Sequence, residues 1–304
     1  MATAACRAVL REIMSKELAV INEGMVLAQY GPMRLTIQAW NDDGPSTELA
    51  ARAGEFSFSL LPRLLGAREA FRRDLHAFES IKADFSEPMM NKMVEAAIST
   101  GLPELGPMAA VAGTVAETVN LFLMESGAVK SIVENGGDLS IFLKPGQTAN
   151  VGVRLGVGDP LPSYKIELRG DVRPLWGVAS SGLGGRSLSQ GIAEAALCVA
   201  ASSPMADAAA TAIANQCNIE SPAVKRVLAE SIDQDTDIRG LMVTESVGDL
   251  SEEETKEALA RAIAYAEGLV GKGLILGSIV SLRRKTVQTQ RFDDLVAALK
   301  QIKQ

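Results

Sequence analysis

The sequence has very few residues that could bind a transition metal. It contains one histidine and three cysteines in 304 residues, and no two cysteines form a C-x-x-C pair. Zinc knuckles, iron–sulfur clusters and the histidine-rich sites of zinc and non-haem iron enzymes are therefore not expected. A catalytic metal, if the protein uses one, is expected to be a hard cation bound by oxygen atoms.

The few cysteines and the histidine have simple structural interpretations. Cys6, Cys198 and Cys217 are widely spaced and are expected to be reduced, buried thiols. His76 lies in a charged stretch without candidate ligands beside it, so we expect a surface or half-buried residue rather than a catalytic base.

Dense basic runs and long apolar runs are also missing. Lysine and arginine number 30 against 37 aspartates and glutamates, a formal charge of −7, and no basic stretch is interleaved with aromatic residues. Nucleic acid is therefore not an expected partner. The first residues lack a signal-peptide core, and no apolar run approaches the roughly 20 residues that cross a bilayer. We expect a cytoplasmic protein with no membrane partner.

The hydrophobic content of 47% can fill a large core, and residues 1–304 are expected to form a single domain. Residues 17–40 predict two or three strands, broken near Gly24 and Gly31. Further strands are predicted at residues 131–142, 150–156, 163–168, 176–180, 192–200, 239–247 and 274–290, and the block from 131 to 200 is expected to pair into one twisted sheet.

Helices are predicted around this sheet. They cover residues 49–61, 86–101, 107–127, 203–215, 221–232, a helix starting at the Ser251–Glu254 capping box, and a short C-terminal segment. Pro62 is expected to kink or end the first of them, and Ser86 to cap the second. Helices that flank a mostly antiparallel sheet define an α+β fold.

Two glycine-rich segments lie between predicted strands. Asn135-Gly136-Gly137-Asp138 is typical of a hairpin turn, and it also lets backbone N–H groups approach an anion beside a carboxylate. The second segment, 180–187, contains Ser180, Ser181, Gly182, Gly184 and Arg186. It is either a flexible surface turn or a pyrophosphate-binding loop in which Arg186 makes a charge-assisted contact.

Two small-residue helices carry the remaining candidates. Helical spacing places Asp207 and Thr211 on one face, where a carboxylate and a hydroxyl can both reach a hard cation. The alternative is that Asp207 favours the helix N-terminus and Thr211 bonds to the preceding turn. Ala109 to Gly113 are more typical of a close helix contact than of a ligand site.

The order of these segments resembles the ApbE family of flavin transferases. N-G-G-D follows a strand, then come S-S-G and A-D-A-A-A-T, and G-P-M-A-A-V-A-G-T at 106–114 resembles a cytoplasmic branch of ApbE-like proteins. The resemblance covers about residues 106–215 and implies a T-fold-like α+β domain that binds FAD with its diphosphate against Mg²⁺.

The resemblance also implies roles for particular residues. Asp207 and Thr211 match the family's metal-binding residues, the carbonyl of Ala112 matches a further metal ligand, and Gly136, Gly137 and Asp138 match its G-G-D. In family transferases, FMN passes to a Ser or Thr of an acceptor protein and AMP leaves.

The sequence departs from the transferases at two places. The region G-R-S-L-S-Q-G-I-A-E-A-A has neither the histidine nor the proline of the family pattern, and Ala112-Gly113-Thr114 lacks its lysine. Three functions stay open: an FMN transferase, a module that binds a flavin or another dinucleotide without turnover, and an enzyme with a different phosphorylated ligand. A homo-oligomer is also compatible with this type of sheet.

Overall fold

The computed structural model describes residues 15–72, 87–155, 164–185 and 187–295. The predictions for Cys6, His76, Ser86 and Arg186 therefore lie outside the described residues.

Fourteen strands occur within the described ranges. They are β1 (Lys16–Asn22), β2 (Met25–Tyr30), β3 (Met33–Asn41), β4 (Gly44–Pro45), β5 (Lys130–Asn135), β6 (Asp138–Leu143), β7 (Thr148–Val153), β8 (Tyr164–Arg169), β9 (Leu175–Ser181), β10 (Ala195–Ala200), β11 (Val224–Leu228), β12 (Met242–Val247), β13 (Gly277–Leu282) and β14 (Lys285–Gln288).

Eight α-helices are described along the same ranges. They are α1 (Thr47–Ser57), α2 (Leu60–Arg72), α3 (Pro88–Thr100), α4 (Val111–Glu125), α5 (Ser203–Gln216), α6 (Ala229–Ile232), α7 (Glu252–Gly271) and α8 (Phe292–Leu295), and a 3-10 turn (Pro107–Ala110) precedes α4.

Nine of the strands form one continuous path in the main sheet. Its order is β1-β2-β3-β5-β6-β9-β10-β13-β14, with the two-residue β4 paired to β3 as the tenth strand. Every pair of neighbours in this sheet is antiparallel. The expected α+β class with a mostly antiparallel sheet is thus confirmed.

The two faces of the sheet are covered by different elements, which β10 illustrates. Ala196 and Cys198 pack into the cluster that includes helices α3, α5 and α7. Leu197 and Val199 point the other way, into a cluster shared with β7, β8 and Phe292 of α8. Burial on both faces explains why this strand is a continuous apolar run rather than an alternating one.

The expectation of one sheet for residues 131–200 is wrong for β7 and β8. These strands pair with each other as a separate two-stranded sheet. Alternate residues such as Val151 and Ile166 are buried, so the hairpin packs its apolar face on the main sheet instead of joining its edge.

The predicted helix over residues 221–232 is also wrong. Its first part is the strand β11, which pairs antiparallel with β12, and only the single turn α6 is helical. The segment V-K-R-V-L has β-branched residues, and pairing with a strand distant along the chain decides its conformation. The predicted strand 239–247 correspondingly begins later, at Met242.

Three local features differ from the sequence expectations. Pro62 lies in the first turn of α2 and does not end a helix there, since α1 already ends at Ser57. The N-cap of α3 is Glu87, whose side chain accepts from the Met89 N–H. Residues 274–290 contain a hairpin rather than a single strand, because Arg283 and Arg284 both adopt positive φ angles of 53° and 60°.

Several other predictions agree with the structure. Three strands occupy residues 16–41, and Ser251 and Glu254 form the predicted capping box of α7. Cys198 and Cys217 are free, buried thiols, as expected.

The 3-10 turn and α4 together form an apolar stretch, Pro107–Glu125, of 19 residues with a mean hydropathy of 1.3. By length and composition this stretch could cross a membrane, so the expectation that no segment approaches that length is not met. In the fold, 56% of it is buried, and it packs against α1, α5, β5 and β6. This packing is typical of a core helix.

Candidate functional site

Helices α4 and α5 touch at the residues that the sequence singles out as metal ligands. The carboxylate of Asp207 accepts the backbone N–H of Gly113 at 2.8 Å. A Cβ atom on Gly113 would lie 2.3 Å from the carbonyl oxygen of Ser203, so only glycine permits this approach. Gly113 therefore makes a close helix contact and also lies next to Asp207, the candidate metal ligand.

The N-terminal turn of α5 is held from a second side by β9. A Cβ atom on Gly177 would lie 2.4 Å from the carbonyl oxygen of Ser202, which caps the helix. Ser203 also donates its hydroxyl to the carbonyl of Leu139 at 3.2 Å. The start of α5 is thus packed between α4, β6 and β9, and this packing determines where Asp207 and Thr211 lie.

The N-G-G-D segment is a two-residue hairpin turn between β5 and β6. Gly136 and Gly137 have φ angles of 69° and 112°, and Asn135 pairs with Asp138 across the turn. The side-chain amide of Asn135 donates to the carbonyl of Ala112 at 3.3 Å, and Asp138 accepts the N–H of Ser180 at 3.2 Å. The hairpin interpretation is correct, and the same turn also faces the candidate site.

The S-S-G segment begins at the end of β9. The hydroxyl of Thr211 donates to the hydroxyl of Ser181 at 3.4 Å, which joins α5 to this loop. Gly182 has a φ angle of 143°, and a Cβ atom there would lie 2.7 Å from the carbonyl oxygen of Glu194. The backbone after Ser181 can therefore follow its path only with glycine at this position.

These segments line one cavity of about 770 Å³. Its polar or small lining residues are Ala112, Asn135, Gly136, Asp138, Ser180, Ser181, Gly182, Gly184, Gly185, Ser187, Asp207, Thr211 and Asp237. Gly137 lies in the same turn but does not line the cavity. A Cβ atom on Gly137 would lie 3.9 Å from the Ser180 hydroxyl.

The remaining lining residues are apolar. They are Pro32, Met33, Leu61, Leu64, Leu65, Met90, Met93, Met108, Val111 and Val115. Four of these ten are methionines, whose flexible thioether side chains adapt to irregular shapes and make favourable contacts with aromatic rings. The cavity lining therefore offers contacts for both the charged and the apolar groups of a ligand.

Two carboxylates, the buried Asp138 and the half-buried Asp207, dominate the electrostatics of the polar lining. Burial raises the pKa of Asp138 to about 7, with a further contribution from Glu134, against the lowering effect of the Ser180 N–H. Burial, followed by the charge of Asp138, raises the pKa of Asp207 well above its ordinary value, although the N–H groups of Gly113 and Ala112 oppose this. Ionising both groups is costly unless a cation lies close to both carboxylates.

The chemistry of these donors fits a hard cation. The candidates are the carboxylates of Asp207 and Asp138, the hydroxyls of Thr211 and Ser181, and the carbonyl of Ala112, all of them oxygen ligands. Within the described ranges, no cluster of three His, Cys, Asp or Glu residues could hold a metal ion by itself. A cation here would complete its coordination with hydroxyls, carbonyls, water or ligand phosphates, as Mg²⁺ commonly does.

Sequence reasoning identified many of the polar residues that line the cavity but few of the apolar ones. Of the twelve predicted site residues, Gly137 lies beside the cavity, Arg186 lies outside the described residues, and the other ten line it. The methionines were missed, although Met89, Met90 and Met93 stand at helical spacing in α3. Asp237 was missed because it follows β11 and α6, a segment that was assigned to a helix.

A known protein family matches most of the chain. The sequence pattern of the AbpE bacteria family matches residues 18–290. A UPF0280 protein of Methanosarcina acetivorans is 31% identical over 186 residues, covering 60% of this chain and 70% of that protein. A UPF0280 protein of Methanothrix thermoacetophila is 34% identical over 135 residues, which cover 44% of this chain. The match spans about half of that protein's own length, 54%.

Solved structures of similar fold come from flavin transferases. The flavin transferase ApbE from Vibrio cholerae has a TM-score of 0.49 and 13% identity, covering 93% of this chain and 100% of that one. The apo flavinyl transferase ApbE from Pseudomonas stutzeri has a TM-score of 0.48 and 14% identity, covering 93% and 98% of the two chains.

The match over residues 18–290 spans most of the chain and includes every element that lines the cavity. The chain belongs to the AbpE bacteria family.

Proposed function

We propose that this protein binds FAD, or a related dinucleotide, together with Mg²⁺ in the 770 Å³ cavity. The observation that carries the proposal is one cavity whose lining combines oxygen-bearing side chains, among them the carboxylates of Asp138 and Asp207, with four methionines and other apolar residues. We propose that the diphosphate lies against the polar lining residues and the ring system against the apolar ones. The flavin transferase names of the similar solved structures are compatible with this ligand.

A cation is needed because the described lining of the cavity is acidic. Asp138, Asp207 and Asp237 line it, whereas the described lining residues include no lysine, arginine or histidine. A diphosphate would be repelled by ionised carboxylates in this poorly hydrated environment. We therefore propose that Asp207 and Asp138, with Thr211 and the carbonyl of Ala112, hold Mg²⁺, which neutralises charge developing on the diphosphate when it is bound.

The chain's own residues would orient the ligand. The hydroxyls of Ser181 and Thr211 can donate to phosphate oxygens, and the glycines after Ser181 allow close approach of backbone N–H groups. Arg186 follows this loop in sequence and stays a proposed diphosphate ligand. The methionines would exclude water from the ring system.

For the reaction, we propose transfer of FMN to a Ser or Thr of an acceptor protein, with release of AMP. This rests on membership of the family and on the diphosphate site described above. The cytoplasmic location and the homo-oligomer stay predictions.

A second function is favoured by the composition of the lining. The described lining residues include no lysine or histidine, so carboxylates are the candidate bases among them. The protein would then hold the dinucleotide without turning it over, or use a different phosphorylated ligand.

The test is incubation of the purified protein with FAD and Mg²⁺, with and without a candidate acceptor, followed by measurement of AMP and of bound flavin. AMP release that depends on both Mg²⁺ and the acceptor, with FMN bound to the acceptor, and that is lost in Asp207→Asn supports transfer. Retention of intact FAD by equilibrium dialysis supports the second function. Absence of flavin binding with or without Mg²⁺ contradicts both. Glu245→Gln is the matched control, because Glu245 pairs with Lys225 outside the cavity.

A further inference from the structure

Helix α4 is apolar, yet it buries a carboxylate that the proposed function does not use. Glu117 is 5% exposed and does not line the cavity. One carboxylate oxygen accepts from the ammonium of Lys92 on α3 at 2.6 Å. The other accepts the backbone N–H of Ser203 at 2.8 Å. Burying a carboxylate is costly unless such partners compensate it, so both contacts are needed for it to be tolerated.

The contact with Ser203 belongs to a pair of matching contacts between two helices. Gly113 and Glu117 are four residues apart on α4, and Ser203 and Asp207 are four residues apart on α5. Gly113 donates to Asp207, and Ser203 donates to Glu117. Because residues four apart lie on one face of a helix, the two bonds join the same two faces one turn apart.

Glu117 also interacts favourably with the start of α5. The N-terminus of a helix carries partial positive charge and unpaired N–H groups, and a carboxylate satisfies both. The side-chain cap at this end is longer, with the Ser202 hydroxyl accepting from the Met205 N–H at 3.4 Å. Of these two side-chain hydrogen bonds at the start of α5, the one accepted by Glu117 is the shorter.

We propose that Glu117 is a positioning residue for the cation site, with Lys92 as its counter-charge. It fixes the first turn of α5 against α4, so that Asp207, one turn further on, presents its carboxylate to the cavity beside Asp138. Glu117 itself touches neither cation nor dinucleotide. This inference rests on the proposed function, because the effect is expressed as affinity for a divalent cation.

The test uses Mn²⁺ alone as a spectroscopic probe for Mg²⁺, with binding to the intact chain followed by electron paramagnetic resonance. Glu117→Ala leaves the Ser203 N–H without its acceptor, and we expect Mn²⁺ affinity to fall by about 10-fold or more, as for other residues that orient metal ligands. Measurements are made at a temperature where circular dichroism shows each variant to be folded.

Asn120→Ala is the matched control for lost stability. Asn120 lies on the same helix, is fully buried, and bonds to Ser131 and Ser140 of the sheet instead of to α5. We expect its substitution to lower the unfolding temperature while Mn²⁺ affinity stays within about 2-fold of the wild type, because the α4–α5 contact is intact.

A rescue variant tests the chemical role, and it also serves if Glu117→Ala does not fold. In Glu117→Gln the side-chain amide cannot satisfy both the Lys92 ammonium and the Ser203 N–H. In the double variant Glu117→Gln with Lys92→Met, the amide oxygen is free to accept from Ser203. We expect weak Mn²⁺ binding in the single variant and recovery to within about 3-fold of wild type in the double variant.

The outcomes separate this inference from the proposed function. Wild-type protein without Mn²⁺ affinity overturns the cation site and the positioning role with it. Wild-type binding that Glu117→Gln weakens no more than Asn120→Ala overturns the positioning role alone. Weakened binding with recovery in the double variant supports both.

Discussion

Asp207 and Gly113 are 94 residues apart in the chain and are joined by a hydrogen bond of 2.8 Å. The bond depends on the absence of a side chain at Gly113, since a Cβ atom there would also lie 3.0 Å from the Cβ of Asp207. One glycine thus sets both the distance between α4 and α5 and the place of the Asp207 carboxylate. Four predictions follow from this and neighbouring contacts.

Gly113→Ala is expected to destabilise the protein by about 1–3 kcal/mol, because the added methyl group overlaps the backbone of Ser203 and forces α5 away. Urea unfolding measures the change. Gly268→Ala in α7 is the control, because a Cβ atom there meets nothing within 4 Å. It is expected to stabilise by about 0.5–1 kcal/mol, as alanine usually does in a helix interior. Equal effects of the two substitutions would contradict the packing argument.

Asp138 is expected to lower the stability of the cation-free protein as the pH rises from about 4 to about 7. The folded pKa of Asp138 is raised from 3.8 to about 7, so the native state binds more protons than the unfolded chain across that window. One such group contributes a slope of up to about 1.4 kcal/mol per pH unit. Urea unfolding in the presence of a chelator at several pH values measures this slope.

Asp138→Asn is the matching substitution for the pH experiment. It should remove the Asp138 part of the slope and leave the variant more stable than wild type at pH 7 without cation, because the costly ionisation is gone. The Asp207 carboxyl, whose pKa is also raised, would contribute a remaining slope of the same sign. Equal slopes in the wild type and in Asp138→Asn would refute the assignment.

Addition of Mg²⁺ near pH 7 is expected to raise the unfolding temperature of the wild type. A ligand at 100 times its dissociation constant stabilises the native state by about 2.7 kcal/mol. Asp207→Asn should lose most of the Mg²⁺-dependent rise in unfolding temperature, because it removes a charged oxygen ligand from the cavity lining. Glu245→Gln, at an exposed position of β12, should keep it. Differential scanning calorimetry with and without Mg²⁺ makes the comparison.

Asn120→Ala is expected to destabilise the protein by about 1–3 kcal/mol through buried hydroxyls that lose their partner. The Asn120 amide donates to Ser140 at 3.0 Å and its carbonyl accepts from Ser131, all three side chains being fully buried or nearly so. Replacing both serines by alanine in the Asn120→Ala background should recover part of the loss. No recovery would mean that the loss of stability comes from the space left by the Asn120 side chain rather than from unpaired serine hydroxyls.

The polar half of the candidate site could be predicted because its residues stand in short, ordered segments. Asn135 to Asp138 require a turn with positive φ angles, and Asp207 and Thr211 share a helical face at any orientation of that helix. The apolar half could not be predicted, because Met33, Met93 and Met108 come from three separate elements. Glu117 was missed for a similar reason, since one charge inside an apolar helix does not reveal which distant N–H it meets.

The local sequence by itself determined the elements with strong end signals: the hairpin strands at residues 16–41, the capped helix α7 and the N-G-G-D turn. The order of motifs also determined the family, which the match over residues 18–290 bears out, whereas the single domain over 1–304 stays a prediction. Only the tertiary structure decided that residues 224–228 are a strand, that β7 and β8 leave the main sheet, and that two carboxylates share one cavity. The reason is physical: pairing, burial and charge coupling depend on distances between residues far apart in the chain, and local propensity carries no information about those distances.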